Sequence, residues 1–151
     1  MKRLLIIYHS QSGNTEKMAR AVNKGATCEP EVEVRLMTAM EAGVDDLLNC
    51  DAVIFGSPEN FGYLSGGLKD FFDRSFYPAE PYQLNIAYGF FVSAGNDGSG
   101  AVRQLERIVK GYPLRKVNEP LIVRGELSEE ILLQCEELGA TFAVALSMGI
   151  Y

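Results

Sequence analysis

The sequence predicts an α/β fold of the doubly wound type, a five-stranded parallel sheet with helices on both faces. Three observations predict it. Short continuous apolar runs recur along the chain, helix-period segments separate them, and polar, glycine-containing loops follow the first, third and fourth runs. A length of 151 residues with 47% apolar composition suits one domain with one proper core, so a single domain over 1–151 is expected.

Leu4 to Tyr8 is the first strand, apolar throughout, as a parallel strand covered on both faces should be. Met18 and Val22, four apart, mark the first helix. Val32-Glu33-Val34-Arg35-Leu36 alternates strictly, which fits an edge strand with one poorly covered face. Ala39 to Asn49 reads as a weak helix interrupted by Gly43. Ala52 to Phe55 is the third strand, and Leu64, Leu68, Phe71 and Phe72 form the stripe of the third helix. Tyr77 to Tyr82, with Pro78 and Pro81, is expected to follow that helix, at the far end of the sheet. Ile86 to Val92 is the fourth strand; Val102, Leu105 and Val109 mark the fourth helix; Pro120 to Val123 is the fifth strand. Ser128 is the expected N-cap of the last helix, with Glu129 and Glu130 against its dipole and Leu127 and Leu132 as a hydrophobic staple. Right-handed crossovers and an edge-like second strand favour the order 2-1-3-4-5. Ligands then bind beyond the carboxyl ends of the strands, at the switch point between strands 1 and 3.

Net charge is −6 with a sequence pI near 4.8. That disfavours nucleic acid and anionic membranes, and it suits either simple solubility or docking to a basic protein. Three cysteines without a C-x-x-C pair exclude a disulfide framework and a zinc site, so reduced thiols and a cytoplasmic location are expected. Leu4 to Tyr8 is too short for a signal peptide. Leu138 to Tyr151 carries no charged side chain but falls short of the roughly 20 residues a membrane span requires. It reads as a buried helix end, and a homodimer through one of its faces stays open.

After strand 1 comes Ser10-Gln11-Ser12-Gly13-Asn14-Thr15, leading straight into a helix. Hydroxyls, two amides and one glycine at a helix N-terminus suit an anion, because free N–H groups and the dipole point there. Capping of the helix by Ser12 or Asn14 is the plainer alternative. The loop has neither the Walker spacing nor the dinucleotide fingerprint. After strand 3, Pro58-Glu59-Asn60-Phe61-Gly62-Tyr63 offers a stiff turn, a glycine for an unusual backbone conformation, and two aromatic faces on a polar loop. After strand 4, Ser93-Ala94-Gly95-Asn96-Asp97-Gly98 lets backbone approach a ligand edge closely. Glu59 and Asp97 could cap their own turns. His9, the only histidine, reads as packing at a strand end.

Taken together, these loops converge on one end of one sheet, and the chain resembles the flavodoxin superfamily along nearly its whole length. Ser10 to Thr15 resembles the family's FMN phosphate loop. Gly56-Ser57-Pro58-Glu59-Asn60-Phe61-Gly62-Tyr63-Leu64-Ser65-Gly66-Gly67-Leu68-Lys69-Asp70-Phe71-Phe72-Asp73 resembles the loop and helix of flavodoxin-like NAD(P)H:quinone reductases of the trp-repressor-binding-protein type. The switch-point rule is itself drawn partly from flavodoxins, so here it is applied rather than tested. The resemblance implies FMN, with its phosphate on Ser10, Gln11, Ser12, Gly13, Asn14 and Thr15. The isoalloxazine would lie between residues 58–63 and 93–98, where the carboxylates of Glu59 and Asp97, if they do not merely cap their turns, would make the second electron harder to add. It also implies the short-chain form, since no long insertion breaks Lys116 to Gly125. No catalytic side chain is required, because the flavin carries the chemistry.

Two functions follow. One is an FMN-dependent oxidoreductase passing electrons from NAD(P)H to a quinone or similar acceptor, favoured because Ser93 to Gly100 contains no aromatic and leaves one flavin face open. The other is a one-electron carrier between redox partner proteins, favoured by the compact acidic chain.

Overall fold

A computed structural model describes residues 1–151. The first apolar run forms β1 (Lys2–Tyr8), followed by α1 (Asn14–Ala26), β2 (Val32–Thr38), α2 (Val44–Leu48) and β3 (Ala52–Asn60). Next come β4 (Tyr63–Leu64), α3 (Gly66–Ala79), a 3₁₀ turn at Glu80–Tyr82, β5 (Ala87–Ala94) and α4 (Ser99–Val109). The chain ends with β6 (Arg115–Lys116), β7 (Leu121–Arg124) and α5 (Glu129–Ser147).

The sheet has seven strands, running β2-β1-β3-β5-β6 with β7 also on β5 and β4 on β3. Only the β3–β4 pair is antiparallel. The five expected strands keep their order, as β2-β1-β3-β5-β7, but the expected count of five is corrected to seven, for two reasons. The last position is shared by two pieces: Arg115–Lys116 pairs with Ala87–Tyr88, and Leu121–Arg124 pairs with Phe91–Ala94. Pro120, which has no N–H to give a ladder, sits just before the second piece. In addition, the chain after β3 folds back on itself as a hairpin instead of running directly into α3. Leu64 accordingly lies in β4, and the helix begins after Ser65. β2 pairs with β1 alone, the edge position its alternation predicts.

Two helices differ from expectation. α2 is only five residues long, because Gly43 is extended and the Asp46 carboxylate turns back to accept its N–H at 2.9 Å. α3 runs on through Tyr77 and Pro78, which were expected beyond it. Proline's missing N–H costs one hydrogen bond in the last turn, and its ring stays exposed, so the helix tolerates it there.

Alternate residues of each strand face opposite sides of the sheet. Leu5, Ile7, Val53 and Phe55 pack with Phe71, Phe72 and Leu105 of α3 and α4. Leu4, Ile6, Ile54 and Phe91 pack with Met18, Val22 and Phe142 of α1 and α5. All are at most 2% exposed, so each large side chain stabilises the fold by about 1.5–3 kcal/mol. This double cover explains why the strands read as unbroken apolar runs. It also forces the polar loops out at the strand ends, where β1, β3 and β5 deliver them side by side.

Candidate functional site

The first loop ends at Gly13, the N-cap of α1, which adopts φ 106°, a conformation that strains any residue with a Cβ. Its N–H donates to Ser10 Oγ at 3.1 Å. No side chain caps the helix beyond it, so neither Ser12 nor Asn14 serves as the cap. The first-turn N–H groups of Asn14, Thr15 and Glu16 thus keep their donor capacity and the positive end of the helix dipole. Ser12 and Gln11 are exposed beside them. Thr15 is buried, its Oγ1 2.7 Å from Ser93 Oγ, which ties α1 to the end of β5.

The second loop is a two-residue hairpin. Asn60 pairs with Tyr63, and Phe61 and Gly62 between them have φ 54° and 70°. Positive φ at both central positions is the type I′ requirement, which Asn-Gly meets best. A bulky side chain at the first of them is an outlier. Yet Phe61 is 107% exposed, so nothing in the protein packs on its ring. Tyr63 instead packs against the core on the α3–α4 side. Of the two aromatic candidates, Phe61 is the fully exposed one, and Tyr63 is half-buried. Asn60 Nδ2 donates to Gln11 Oε1 at 3.0 Å, joining this loop to the first. Below the turn, Ser57 Oγ accepts the Ser65 N–H at 2.9 Å and donates to the Pro58 carbonyl at 2.7 Å.

The third loop leads into α4 through Gly98. Here two carboxylates organise the backbone. Glu59 reaches across from β3: its Oε1 accepts from Gly98 N at 2.9 Å, and its Oε2 from Gly100 N at 3.0 Å and Ala101 N at 3.2 Å. Asp97 accepts from the Ser99 hydroxyl at 2.7 Å and the Ser99 N–H at 3.3 Å. Those two Ser99 bonds, helped by Arg124 and Arg103 nearby, hold the Asp97 carboxyl below its ordinary range. Asp97 caps its own turn, as one of the two expectations has it, whereas Glu59 caps a helix start about 40 residues away. Both carboxylates are committed to the start of α4. Ala94 is buried, while Gly95 and Asn96 are exposed, and no aromatic side chain comes from this loop.

The three loops are therefore joined in sequence: first to second by Gln11–Asn60, second to third by Glu59, and third to first by Ser93–Thr15. Around this rim α3 is capped by Ser65 and α5 by Ser128. α4 is capped by Glu59 and Asp97, whereas the first turn of α1 is not capped. Sequence reasoning missed the Thr15–Ser93 link and the Glu59 cap, because partners 78 and about 40 residues apart leave no local signal. His9 packs where expected: a Cβ on Gly67 would run into its ring, and its buried Nδ1 has no partner. No helix is long and apolar enough to cross a membrane.

Such a rim could hold a ligand with one anionic group, on the uncapped α1 end, and one flat ring, on Phe61. Hydroxyls and N–H groups are the right donors for a phosphate monoester without a lysine or arginine. Residues 6–139 match the sequence profile of the flavodoxin family. A flavodoxin from Aquifex aeolicus is 44% identical over 73 residues, which is 48% of this chain and 40% of that protein. An NAD(P)H dehydrogenase (quinone) from Acidithiobacillus ferrooxidans is 34% identical over 95 residues, covering 50% of this chain and 48% of that protein. The matched stretch thus spans less than half the length of either curated relative. Among solved structures, oxidised flavodoxin 1 from Bacillus cereus superposes with a TM-score of 0.78 at 26% identity, over 95% of this chain and 98% of that one.

Proposed function

The chain belongs to the flavodoxin family, and on that premise we propose that residues 1–151 act as one FMN-binding, electron-transferring domain in the cytoplasm. The observation that carries the reading is the contrast among helix ends: the chain's own side chains cap α3, α4 and α5 but leave the α1 turn to an external anion. Residues Ser10 to Thr15 would hold the FMN phosphate, with residues 58–63 and 93–98 on either side of the isoalloxazine. FMN, when bound, supplies the electron and hydride chemistry. The protein's part is to bind and orient. First-turn N–H groups and Ser12 take the phosphate, Phe61 offers an apolar wall, and Thr15 fixes Ser93 at the edge of the third loop.

The finer reading is an oxidoreductase that takes electrons from NAD(P)H and passes them to a quinone or similar acceptor. Its support is the third loop, which brings small, exposed residues and no aromatic, so a second flat molecule has room to approach. A carrier between protein partners is the competing reading, favoured by the net charge of −6. Anaerobic mixing of the FMN-loaded protein with NADH and with NADPH separates the two. Rapid bleaching of flavin absorbance is expected. An absence of bleaching with both would defeat the enzyme reading in favour of the carrier.

A further inference from the structure

The hairpin that bears Phe61 is joined to α4 by more than chain proximity. Glu59, on the last turn of pairing before the hairpin tip, satisfies three of the N–H groups at the start of α4. Immediately beside it the backbones touch: a Cβ on Gly100 would overlap the Gly62 carbonyl oxygen, and it would also press on Glu59 Oε2 at 3.1 Å. The tip itself is strained, with Phe61 at φ 54° and its ring unsupported. A strained turn persists only where its surroundings over-determine it. The β3–β4 pairing and the Ser65 N–H bond to Ser57 Oγ hold the base of the hairpin, while near its tip two side-chain links tie it to other loops, the Asn60–Gln11 contact on one side and the Glu59 carboxylate on the other. Gln11 is an exposed side chain making one neutral bond, whereas Glu59 makes three charge-assisted bonds to fixed backbone.

We propose that Glu59 is a positioning residue, latching the Phe61 hairpin onto the start of α4 and so holding the aromatic face in place for the cofactor. Glu59 does not touch the ring system in this scheme. It acts through Phe61, and the inference rests on the FMN reading above. The arrangement also removes the positive end of α4 from competition for the phosphate, since a carboxylate already occupies it.

The test combines amide exchange with a double-mutant cycle. Glu59→Gln keeps the size of the side chain but replaces one accepting oxygen by a donor, and it avoids the hole that Glu59→Ala would leave. In the cofactor-free protein, exchange at Gly98, Gly100 and Ala101 is expected to quicken by about tenfold or more in Glu59→Gln, while amides in β1 and β3 keep their rates. FMN affinity should fall by about fivefold or more in Glu59→Gln, by a similar factor in Phe61→Ala, and by little further when the two are combined. Unchanged exchange at the three amides would overturn the latch. Quickened exchange with full FMN affinity, or with losses that simply multiply in the double variant, would reduce Glu59 to a helix cap and overturn its positioning role. If the parent protein takes up no FMN, the cofactor reading fails and the positioning role with it. The exchange data then still decide whether the latch exists.

Discussion

Phe61 should be a residue whose replacement stabilises the protein and harms its function. Its backbone sits in the left-handed region at φ 54°, which costs a non-glycine residue roughly 1–2 kcal/mol relative to its relaxed state. Its ring is 107% exposed and so contributes no burial to offset that cost. Asparagine at this position would create Asn-Gly, the preferred pair for a type I′ turn. Phe61→Asn is therefore expected to stabilise the cofactor-free protein by about 1 kcal/mol, or about 2–4 °C in melting temperature for a chain of this size. The same change removes the apolar wall. It should weaken FMN by about 1–3 kcal/mol, the scale of aromatic stacking on flat bases, which is roughly 5- to 150-fold in Kd. Thermal melts of the cofactor-free variant and FMN titrations, followed by flavin fluorescence, read the two effects separately. A variant that melts lower would show that the ring is supported by contacts within the fold. One that binds FMN as tightly as the parent would refute Phe61 as the wall.

Ser12→Ala should weaken FMN while leaving riboflavin binding and the melting temperature nearly unchanged, because Ser12 is exposed; equal losses for both flavins would refute the phosphate loop. Thr15→Ala should also cost about 1 kcal/mol of stability, since it breaks the 2.7 Å bond to Ser93, and chemical denaturation would reveal it. Gly100→Ala should lower stability by about 1–3 kcal/mol through its clash with the Gly62 carbonyl, with a melting temperature equal to the parent's as the refuting result. Burial pushes the Cys50 and Cys135 thiols up to about 12, whereas Cys28 is exposed. Thiol titration of the folded protein near neutral pH should therefore find one fast group, with the other two appearing on unfolding.

How far the sequence could be read depended on the range of the interaction that decides each feature. Continuous runs such as Leu4 to Tyr8 and the stripe of Val102, Leu105 and Val109 are local patterns, and the strands and helices they predict are present. The alternation of Val32 to Leu36 located the edge strand, since burial on one face is written into consecutive residues. The split last strand was illegible because Arg115–Lys116 is two exposed charged residues, with no apolar signal to announce a strand. Phe61 was identified as an aromatic candidate, but its left-handed backbone was not, because Phe-Gly lacks the asparagine that normally marks such a turn. Glu59 was the hardest case. Its carboxylate meets N–H groups about 40 residues downstream, and only the finished sheet brings those two points together.

That long-range contact bears on why one loop and not another would receive the phosphate. In a doubly wound sheet several helices begin at the same edge, and each presents free N–H groups with a positive dipole end of similar strength. Selectivity among them cannot come from the helices themselves. Here it comes from side chains that fill the competing positions. Ser65 and Ser128 cap α3 and α5 from their own N-cap positions, as short polar residues commonly do. The start of α4 is glycine-rich, with Gly98 as N-cap and Gly100 pressed on the hairpin, so it has no local side chain of that kind. Asp97 covers one N–H and Glu59 the other three, and the two negative charges would repel a phosphate as well as displace it. At α1 the corresponding residue is again glycine, and the one acid of its first turn, Glu16, is paired with Arg20 and accepts none of the first-turn N–H groups, which stay free beside the hydroxyls and amides of the loop. The starts of α3 and α5 are thus closed by their own N-cap serines, whereas α1 and α4 both begin at glycine and differ in the carboxylate of Glu59, which a neighbouring strand brings to α4 alone.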